Sequence, residues 1–145
     1  MRTIITSGYF NPLHTGHISY LNEAKKLGDR LIVVVNNDDQ VKLKGSKPFM
    51  EEQERLKIIE NLKCVDIAII SKSSDKSVCE DLRNIRVFFP YDELVFAKGG
   101  DRTIDNIPEV ETCRENNINM SFGIGCEKTT SSSDILKKVN EWSIF

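Results

Sequence analysis

The amino-acid sequence predicts a single α/β domain in which a five-stranded parallel sheet carries helices on both faces. Strand-like and helix-like segments alternate along the whole chain, and "RLIVVVNND" at 30–38 contains a continuous apolar, β-branched run. Such a run is typical of a strand covered on both sides, as in sheets with right-handed crossover helices. No repeat, low-complexity tract or linker interrupts the chain. We therefore expect one Rossmann-like domain over residues 1–145.

The first half of the chain gives its elements in the order strand, helix, strand, loop, helix. Residues 3–6 are predicted as a short buried strand. Residues 17–29 are predicted as a helix, because apolar side chains recur there at helical spacing before Gly28 ends the pattern. The second strand is 30–38. The loop and the helix that follow are residues 42–48 and 49–63, and the helix has acidic residues in its first turn.

The second half continues the alternation. The predicted strands are 65–70, 93–97 and 117–124, and the predicted helices are 75–83 and 109–116. A final helix is predicted to begin near Ser132 or Ser133, either of which would serve as its N-cap. Ligands of open parallel sheets bind beyond the carboxyl ends of the strands. The residues that follow each strand are therefore the candidates for function.

The composition argues against several classes of protein. A net charge of −2 and a pI near 5.7 do not suit a nucleic-acid binder that relies on a general positive field. No apolar run is long enough to span a bilayer, and the N-terminus leads into the first strand rather than into a secretory signal. We expect a cytoplasmic protein with neither a nucleic-acid nor a membrane partner.

The cysteines are widely spaced and form no C-x-x-C pair; they are Cys64, Cys79, Cys113 and Cys126. In a chain without an export signal this spacing predicts reduced thiols. A zinc site that combines two of them with the histidines is disfavoured, because the spacing typical of zinc ligands is missing.

Both histidines of the chain lie in "GYFNPLHTGH", residues 8–17, which we call the histidine turn. Two residues separate His14 from His17, and Gly8, Pro12 and Gly16 flank them. A metal site, a catalytic acid/base pair and an anion cradle are each compatible with this pattern.

Polar and cationic residues follow the other predicted strands as well. After the second strand come Asn36, Asn37 and Asp38, then Lys42, Lys44 and Lys47; after the fourth comes "KGGDR" at 98–102; before the last helix comes "EKTTSSSD" at 127–134. Each segment alone is usually a solvated loop, a turn or a helix cap. Because they converge on one edge of the sheet, they together predict a polyphosphate site. The phosphate-binding motifs G-x-x-x-x-G-K-[ST] and G-x-G-x-x-G are both missing.

The histidine turn resembles the signature of a known superfamily. "GYFNPLHTGHISYL" is similar to the H-x-G-H motif of the nucleotidyltransferase α/β phosphodiesterases, in which the motif follows the first strand and opens a helix. "AKKLGDRLIVVVNND", "KGSKPFMEEQERLKII", "VDIAII" and "FAKGGDR" look most like the adenylyltransferase half of the bacterial ADP-heptose synthesis enzyme, and next like the glycerol-3-phosphate cytidylyltransferases. The resemblance covers nearly the whole chain and implies the HUP/nucleotidyltransferase type of Rossmann-like fold.

The resemblance also implies a reaction, transfer of a nucleotidyl group from a Mg²⁺-bound nucleoside triphosphate to a phosphomonoester with release of pyrophosphate. The second pKa of a phosphomonoester is about 6, so the nucleophile is largely ionised at neutral pH without a general base. The protein must instead align the reactants and stabilise charge that grows on the α-phosphate and on pyrophosphate. This chemistry favours the anion-cradle interpretation of the histidine turn.

The expected site residues form three groups. His14, His17 and Lys44 are the candidate catalytic residues, the histidines as hydrogen-bond donors to phosphate. The nucleotide is expected to contact Gly8, Tyr9, Phe10, Asn11, Gly16, His17, Lys98, Gly99, Gly100, Asp101, Arg102, Thr130, Ser131, Ser132 and Ser133. The acceptor is expected to contact Asn36, Asp38, Lys47 and Arg55, with a surface ion pair between Arg55 and Glu51 as the structural alternative. No protein ligand to metal is expected, because Mg²⁺ is carried by the nucleotide.

Three features depart from the resembled families. Asn11 stands where the ADP-heptose and cytidylyltransferase enzymes usually have Asp, and "CEKTTSSSDILKK" matches only the hydroxyl triplet of the tail pattern R-T-x-G-[IV]-S-T-T. The kinase half often fused to heptose adenylyltransferases is missing, so we expect the acceptor to come from a separate enzyme.

Several functions remain open at this stage. We expect ATP and a sugar 1-phosphate as substrates, with CTP and glycerol 3-phosphate or another small phosphoalcohol as the first alternative. An adenylyltransferase that makes NAD, FAD or a coenzyme A precursor comes third. A non-catalytic nucleotide-binding module is the alternative from another class. The resembled families usually form homodimers, so the resemblance implies a possible homodimer.

Overall fold

The computed structural model describes residues 1–99 and 107–125. Its elements, in chain order, are β1 (Arg2–Gly8), α1 (Thr15–Lys25), β2 (Arg30–Val35), α2 (Asp38–Leu43), α3 (Glu52–Glu60), β3 (Ile67–Ile70), α4 (Cys79–Phe88), β4 (Glu93–Gly99), α5 (Glu109–Glu115) and β5 (Asn119–Ile124). The five strands form one parallel sheet in the order β3-β2-β1-β4-β5. This confirms the predicted α/β domain with a five-stranded parallel sheet.

The direction in which the sheet grows reverses beside β1. The chain builds outward from β1 through β2 to β3, then returns to pair β4 with the other edge of β1 and adds β5. The carboxyl ends of β1 and β4, at Gly8 and Gly99, therefore border a topological switch point. Open α/β sheets bind ligands at this position.

The core consists of one apolar layer on each face of the sheet. Alternate residues of β2 point to opposite faces: Leu31, Val33 and Val35 pack with residues of α1 and α3, while Ile32 and Val34 pack with residues of α4 and α5. All five β2 side chains are essentially buried. Each fully buried aliphatic side chain contributes about 1.5–3 kcal/mol. The continuous apolar run is thus explained by burial on both faces.

The structure contains a helix that the sequence did not predict. α2 begins after Asn37, whose side chain accepts a hydrogen bond from the Gln40 N–H (2.8 Å), while Gln40 Oε1 accepts one from the Asn37 N–H (2.8 Å). This reciprocal capping box starts a helix between the predicted strand and loop. Lys42 consequently lies within α2, and Lys44 is its C-cap.

Three predicted helices have different ends. α1 ends at Lys25, four residues before the predicted end. α3 is Glu52–Glu60 rather than 49–63, because the chain before it is bound to Asn11. α4 begins at Cys79 rather than at Asp75, since the Asp75 carboxylate accepts hydrogen bonds from the Ser77 N–H and hydroxyl and holds a turn there.

The strand ends also differ from the prediction. β1 runs to Gly8 instead of ending at residue 6, β2 ends at Val35, and β4 continues through Lys98 to Gly99. "KGGDR" therefore begins inside a strand rather than in a turn. The predicted last helix lies outside the described residues.

The described residues contain three cysteines, Cys64, Cys79 and Cys113, and all three are free thiols. Burial raises the pKa of the Cys113 thiol to about 12. Cys126 lies outside the described ranges. Within those ranges no helix is long and apolar enough to cross a membrane.

A charged cluster closes the amino edge of the sheet. Asp92 Oδ2 accepts hydrogen bonds from the Thr3 hydroxyl (2.8 Å) and from Arg30 Nη2 (2.6 Å). The Thr3 hydroxyl, and after it the Arg30 guanidinium, hold the pKa of Asp92 below its ordinary value against the opposing effect of burial. The cluster ties β1, β2 and the chain entering β4 together.

We expect the free energy of unfolding of the Asp92→Asn variant to depend less on pH in the acidic range than that of the wild type. The lowered pKa stabilises the fold above the ordinary pKa of the carboxyl, and this stabilisation is lost as the pH falls through the folded pKa. Denaturant titrations at pH 7 and at about pH 3 should therefore show a smaller difference in the variant than in the wild type. Glu93→Gln, an exposed change on the same edge, is the control. An unchanged pH dependence in Asp92→Asn would contradict this role.

Candidate active site

The two histidines cap α1 reciprocally. His14 is the N-cap, and its Nδ1 accepts a hydrogen bond from the Gly16 N–H (3.1 Å). His17, the third residue of the helix, accepts at Nδ1 a hydrogen bond from the His14 N–H (3.1 Å). The two rings stack with their centroids 3.8 Å apart. Two imidazoles therefore take the places that Ser or Thr and Glu usually fill in a capping box.

This cap decides which nitrogen of each ring carries the proton. A backbone N–H only donates, so both Nδ1 atoms act as acceptors, and in the neutral ring the proton lies on Nε2. Each histidine is thus a hydrogen-bond donor through Nε2. The α1 N-terminus adds partial positive charge to the same place.

Phe10 packs against the histidine pair through the His17 ring. The residue is 1% exposed, and its ring meets the His17 ring edge-on with the centroids 5.0 Å apart. Phe10 has a positive φ of 50°, and the ring lies against Gly8, where an added Cβ would fall 2.7 Å from Phe10 Cζ. Gly8 therefore makes room for an aromatic ring, and the Gly16 N–H serves His14. The sequence instead predicted that both glycines contact the nucleotide.

Residues 44–51, which we call the lysine strap, lie across the histidine turn. The Lys44 ammonium stands over the Tyr9 ring, with Nζ 4.4 Å from the ring centre. Cation–π contacts of this kind hold a long side chain in one region without neutralising it. Gly45 turns the strap with a φ of 92°.

Asn11 joins the histidine turn to the lysine strap. Its Oδ1 accepts hydrogen bonds from the N–H groups of Phe49 (2.6 Å) and Met50 (3.2 Å), and its Nδ2 donates to the Lys47 carbonyl (2.9 Å). The side chain is buried, and all three partners are backbone groups of the strap.

Arg55 is a buried tie between loops rather than a surface group. Its side chain has no exposed area. Nη1 donates to the carbonyls of Tyr9 (2.7 Å) and Asn36 (2.6 Å), and Nε donates to the Met50 carbonyl (2.9 Å). Nη2 forms an ion pair with Asp38 at 2.7 Å. The sequence alternative, a surface pair with Glu51, is therefore wrong in both burial and partner.

Asn36 and Asp38, predicted to touch the acceptor, are bound into the same arrangement. Asn36 is buried, and its Nδ2 donates to Gln40 Oε1 (3.1 Å). Asp38 carries the Arg55 ion pair, and its N–H donates to Glu52 Oε1 (2.9 Å). Both lie at the carboxyl edge beside the histidine turn.

Sequence reasoning missed the buried residue that supports this side of the site. Gln40 is fully buried, and its Nε2 donates to the carbonyls of Asp75 (2.8 Å) and Ser77 (3.0 Å). It thereby links α2 to the connection between β3 and α4. The spacing Asn37-x-x-Gln40 is a capping-box pattern, so this helix start was readable from the sequence.

The β4 side of the site is described only in part. Lys98 Nζ lies 5.2 Å from the centre of the Phe96 ring, and Gly99 packs where an added Cβ would meet Ile124 O and the Tyr20 ring at 3.1 Å. The remaining residues predicted on this side lie outside the described residues; they are Gly100, Asp101, Arg102, Thr130, Ser131, Ser132 and Ser133.

Taken together, these groups can bind a polyanion. The histidine turn offers imidazole N–H donors at a helix N-terminus, and the lysine strap places the Lys44 ammonium over Tyr9 of the same turn. Within the described residues, no cluster of three His, Cys, Asp or Glu side chains could hold a metal ion. The donor set suits phosphate oxygens better than a protein-bound cation.

The fold and this site define a nucleotidyltransferase of the cytidylyltransferase-like family. The model of that family matches residues 5–138, and the chain belongs to it. The sequence resemblance to these enzymes is thereby confirmed.

Particular relatives fall into two kinds. An FAD synthase of Thermoplasma acidophilum is 38% identical over 109 residues, which are 74% of this chain and 76% of that enzyme. The bifunctional protein HldE of Pasteurella multocida, an enzyme of ADP-heptose synthesis, is 35% identical over 152 residues, 97% of this chain. This chain spans only 28% of that relative.

One solved structure is also similar to this chain. The lipopolysaccharide core biosynthesis protein of Thermoplasma volcanium superposes with a TM-score of 0.69 at 30% identity, covering 88% of this chain and 99% of that one. The resemblance to the ADP-heptose enzyme is confirmed, and the FAD synthases join it as relatives.

We expect Arg55→Lys to destabilise the fold. A lysine keeps the charge but cannot donate in four directions, so buried carbonyls and Asp38 lose their partner. The free energy of unfolding, from denaturant titration, should fall by about 3 kcal/mol. Lys57→Arg, the reverse exchange at an exposed site of the same helix, should change it by less than about 0.5 kcal/mol. Full stability combined with a raised acceptor KM would instead make Arg55 a surface ligand of phosphate.

Proposed function

We propose that the protein transfers AMP from ATP to a phosphomonoester and releases pyrophosphate, and that the acceptor is a sugar 1-phosphate. The reciprocal histidine cap carries the proposal, because it makes the Nε2–H of both rings hydrogen-bond donors at a helix N-terminus on the switch point of the sheet. The HldE of Pasteurella multocida, which matches 97% of this chain, supports adenylyl transfer and a sugar acceptor.

The reaction needs no covalent enzyme intermediate. An oxygen of the acceptor phosphate attacks the α-phosphorus of ATP, the bond from that phosphorus to the bridging oxygen breaks, and pyrophosphate leaves with the electron pair. His14 and His17 donate hydrogen bonds to oxygens on which negative charge grows. Donors that are already oriented stabilise such charge without reorganising.

Cations guide both substrates in this scheme. Lys44 and Lys47 attract phosphate from the lysine strap. Residues 98–102 and 130–133 stay the predicted nucleotide contacts. We assign Arg55 to holding the loops rather than to phosphate, because its described hydrogen bonds go to protein atoms. Mg²⁺ enters with the triphosphate, where it neutralises charge on the phosphate oxygens. A cytoplasmic location and a homodimer stay predictions.

FMN is the second candidate acceptor. The FAD synthase of Thermoplasma acidophilum is the observation that favours it, since this chain covers three-quarters of that enzyme. FMN is also a phosphomonoester, so the chemistry at phosphorus is unchanged. Only the group beyond the phosphate differs.

A pyrophosphate-release assay tests the proposed function. ATP and CTP are offered separately, with Mg²⁺, against heptose and hexose 1-phosphates, glycerol 3-phosphate, phosphoethanolamine, FMN, nicotinamide mononucleotide and phosphopantetheine. We expect release with ATP and a sugar 1-phosphate. Release with ATP and FMN would move the assignment to FAD synthesis, and release with CTP and glycerol 3-phosphate to the cytidylyl alternative. Nucleotide binding without any release would favour the non-catalytic module.

Paired substitutions test the role of the His17 proton. An Asn amide overlays imidazole Nδ1, so His17→Asn keeps the cap of α1 but removes the Nε2–H donor. A Gln amide overlays Nε2, so His17→Gln restores a donor there. We expect kcat to fall about 10²-fold in His17→Asn with the melting temperature preserved, and to fall less in His17→Gln. Near wild-type kcat in His17→Asn would refute the donor role.

A further inference from the structure

The amide of Asn11 is matched to its surroundings on both sides. Two backbone N–H groups, those of Phe49 and Met50, point at Oδ1, and one carbonyl, that of Lys47, accepts from Nδ2. Only 4% of the residue is exposed, and buried polar groups of this kind need hydrogen-bond partners. The pattern requires an acceptor and a donor on one short side chain.

A carboxylate cannot meet this requirement. It accepts hydrogen bonds but donates none, so one of its oxygens would face the Lys47 carbonyl at hydrogen-bond distance. Two acceptors in contact repel each other, and the buried carbonyl would lose its donor. Asn at this position is therefore specific to the path of the lysine strap.

The contacts fix the strap at two points. Lys47 to Met50 are held by Asn11, and the Lys44 ammonium rests on the ring of Tyr9, two residues before Asn11. Gly45 makes the turn between them. The backbone from which Lys47 extends is thereby set at a fixed distance from the histidine turn.

We propose that Asn11 is a positioning residue that holds the lysine strap for the acceptor phosphate and does not contact the nucleotide; the acceptor part of this inference rests on the proposed function. The strap joins α2 to α3 on the β2 side of the switch point, whereas the predicted nucleotide segment follows β4. Loss of the Asn11 contacts therefore affects the acceptor side first.

Kinetic and binding measurements on Asn11→Asp and Asn11→Ala test this inference. We expect the acceptor KM to rise about tenfold or more, while the dissociation constant of ATP, measured by calorimetry without acceptor, stays within about twofold. Asn61→Asp is the matched control: it makes the same chemical change at an exposed amide that bonds only the Lys57 carbonyl within its own helix region. A loss of ATP affinity as large as the rise in acceptor KM would overturn the inference and make Asn11 a nucleotide ligand.

Two measurements without substrate keep the test independent of turnover. In the wild type, hydrogen exchange should show protected N–H groups at Phe49 and Met50, and exchange at the rate of an open loop would refute the tie. Trypsin should cleave after Lys44, at the Lys44–Gly45 bond, faster in both Asn11 variants than in Asn61→Asp, with global melting unchanged. Equal cleavage would likewise refute the tie. If the wild type releases no pyrophosphate with any substrate pair, the proposed function and the role of Asn11 toward the acceptor are both overturned. Hydrogen exchange and trypsin cleavage would still decide whether Asn11 holds the strap.

Discussion

The buried guanidinium of Arg55 is the interaction on which the rest of the site depends. A charged group without exposed surface is tolerated only where its donors are paired. Arg55 meets this condition with three carbonyls and one carboxylate, drawn from the histidine turn, the segment after β2 and the lysine strap. The parallel sheet brings these loops to one edge, and the guanidinium fixes how far apart they lie. The position of the histidine turn is thus decided by a residue that does not belong to it.

Backbone amides at this edge bind side chains of the protein itself. The Gly16 N–H is bound by His14, the His14 N–H by His17, and the Phe49 and Met50 N–H groups by Asn11. Under the proposed function, phosphate would therefore be recognised by imidazole N–H and lysine ammonium groups rather than by these backbone amides. A hydrogen bond received at Nδ1 polarises the ring toward donation at Nε2, as in other hydrogen-bonded chains.

The sequence predicted the sheet and the place of the site, because both follow from patterns that are local. A continuous apolar run such as 31–35 indicates burial on both faces, and alternation of elements indicates parallel order. The histidine turn was located by its composition alone. The roles of Arg55 and Asn11 were not predictable in this way. Three of the four hydrogen bonds of Arg55 go to partners 17 to 46 residues distant, and those of Asn11 go to partners 36 to 39 residues distant. From the sequence, an arginine on a helix with acidic neighbours suggests a surface ion pair. In the structure, Arg55 is buried and binds groups from three loops.

The relatives of this chain are named for different activities, FAD synthesis and ADP-heptose synthesis. Under the proposed function, groups that contact the acceptor beyond its phosphate would therefore decide which acceptor is used. Two exposed segments that follow β2 and β3 differ in side-chain chemistry: we call them the aromatic rim, at Phe49, and the cationic rim, at Lys72 and Lys76. Phe49 on the lysine strap exposes half of its aromatic side chain, whereas the connection after β3 exposes Lys72 and Lys76. A flavin ring gains most from the aromatic rim, and a polar sugar phosphate gains most from the cationic one. Asn11 binds the strap that carries Phe49, and Gln40 binds the Asp75 and Ser77 carbonyls of the loop that carries Lys72 and Lys76. Two buried amides therefore hold the two segments whose side chains would distinguish the acceptors of the proposed function.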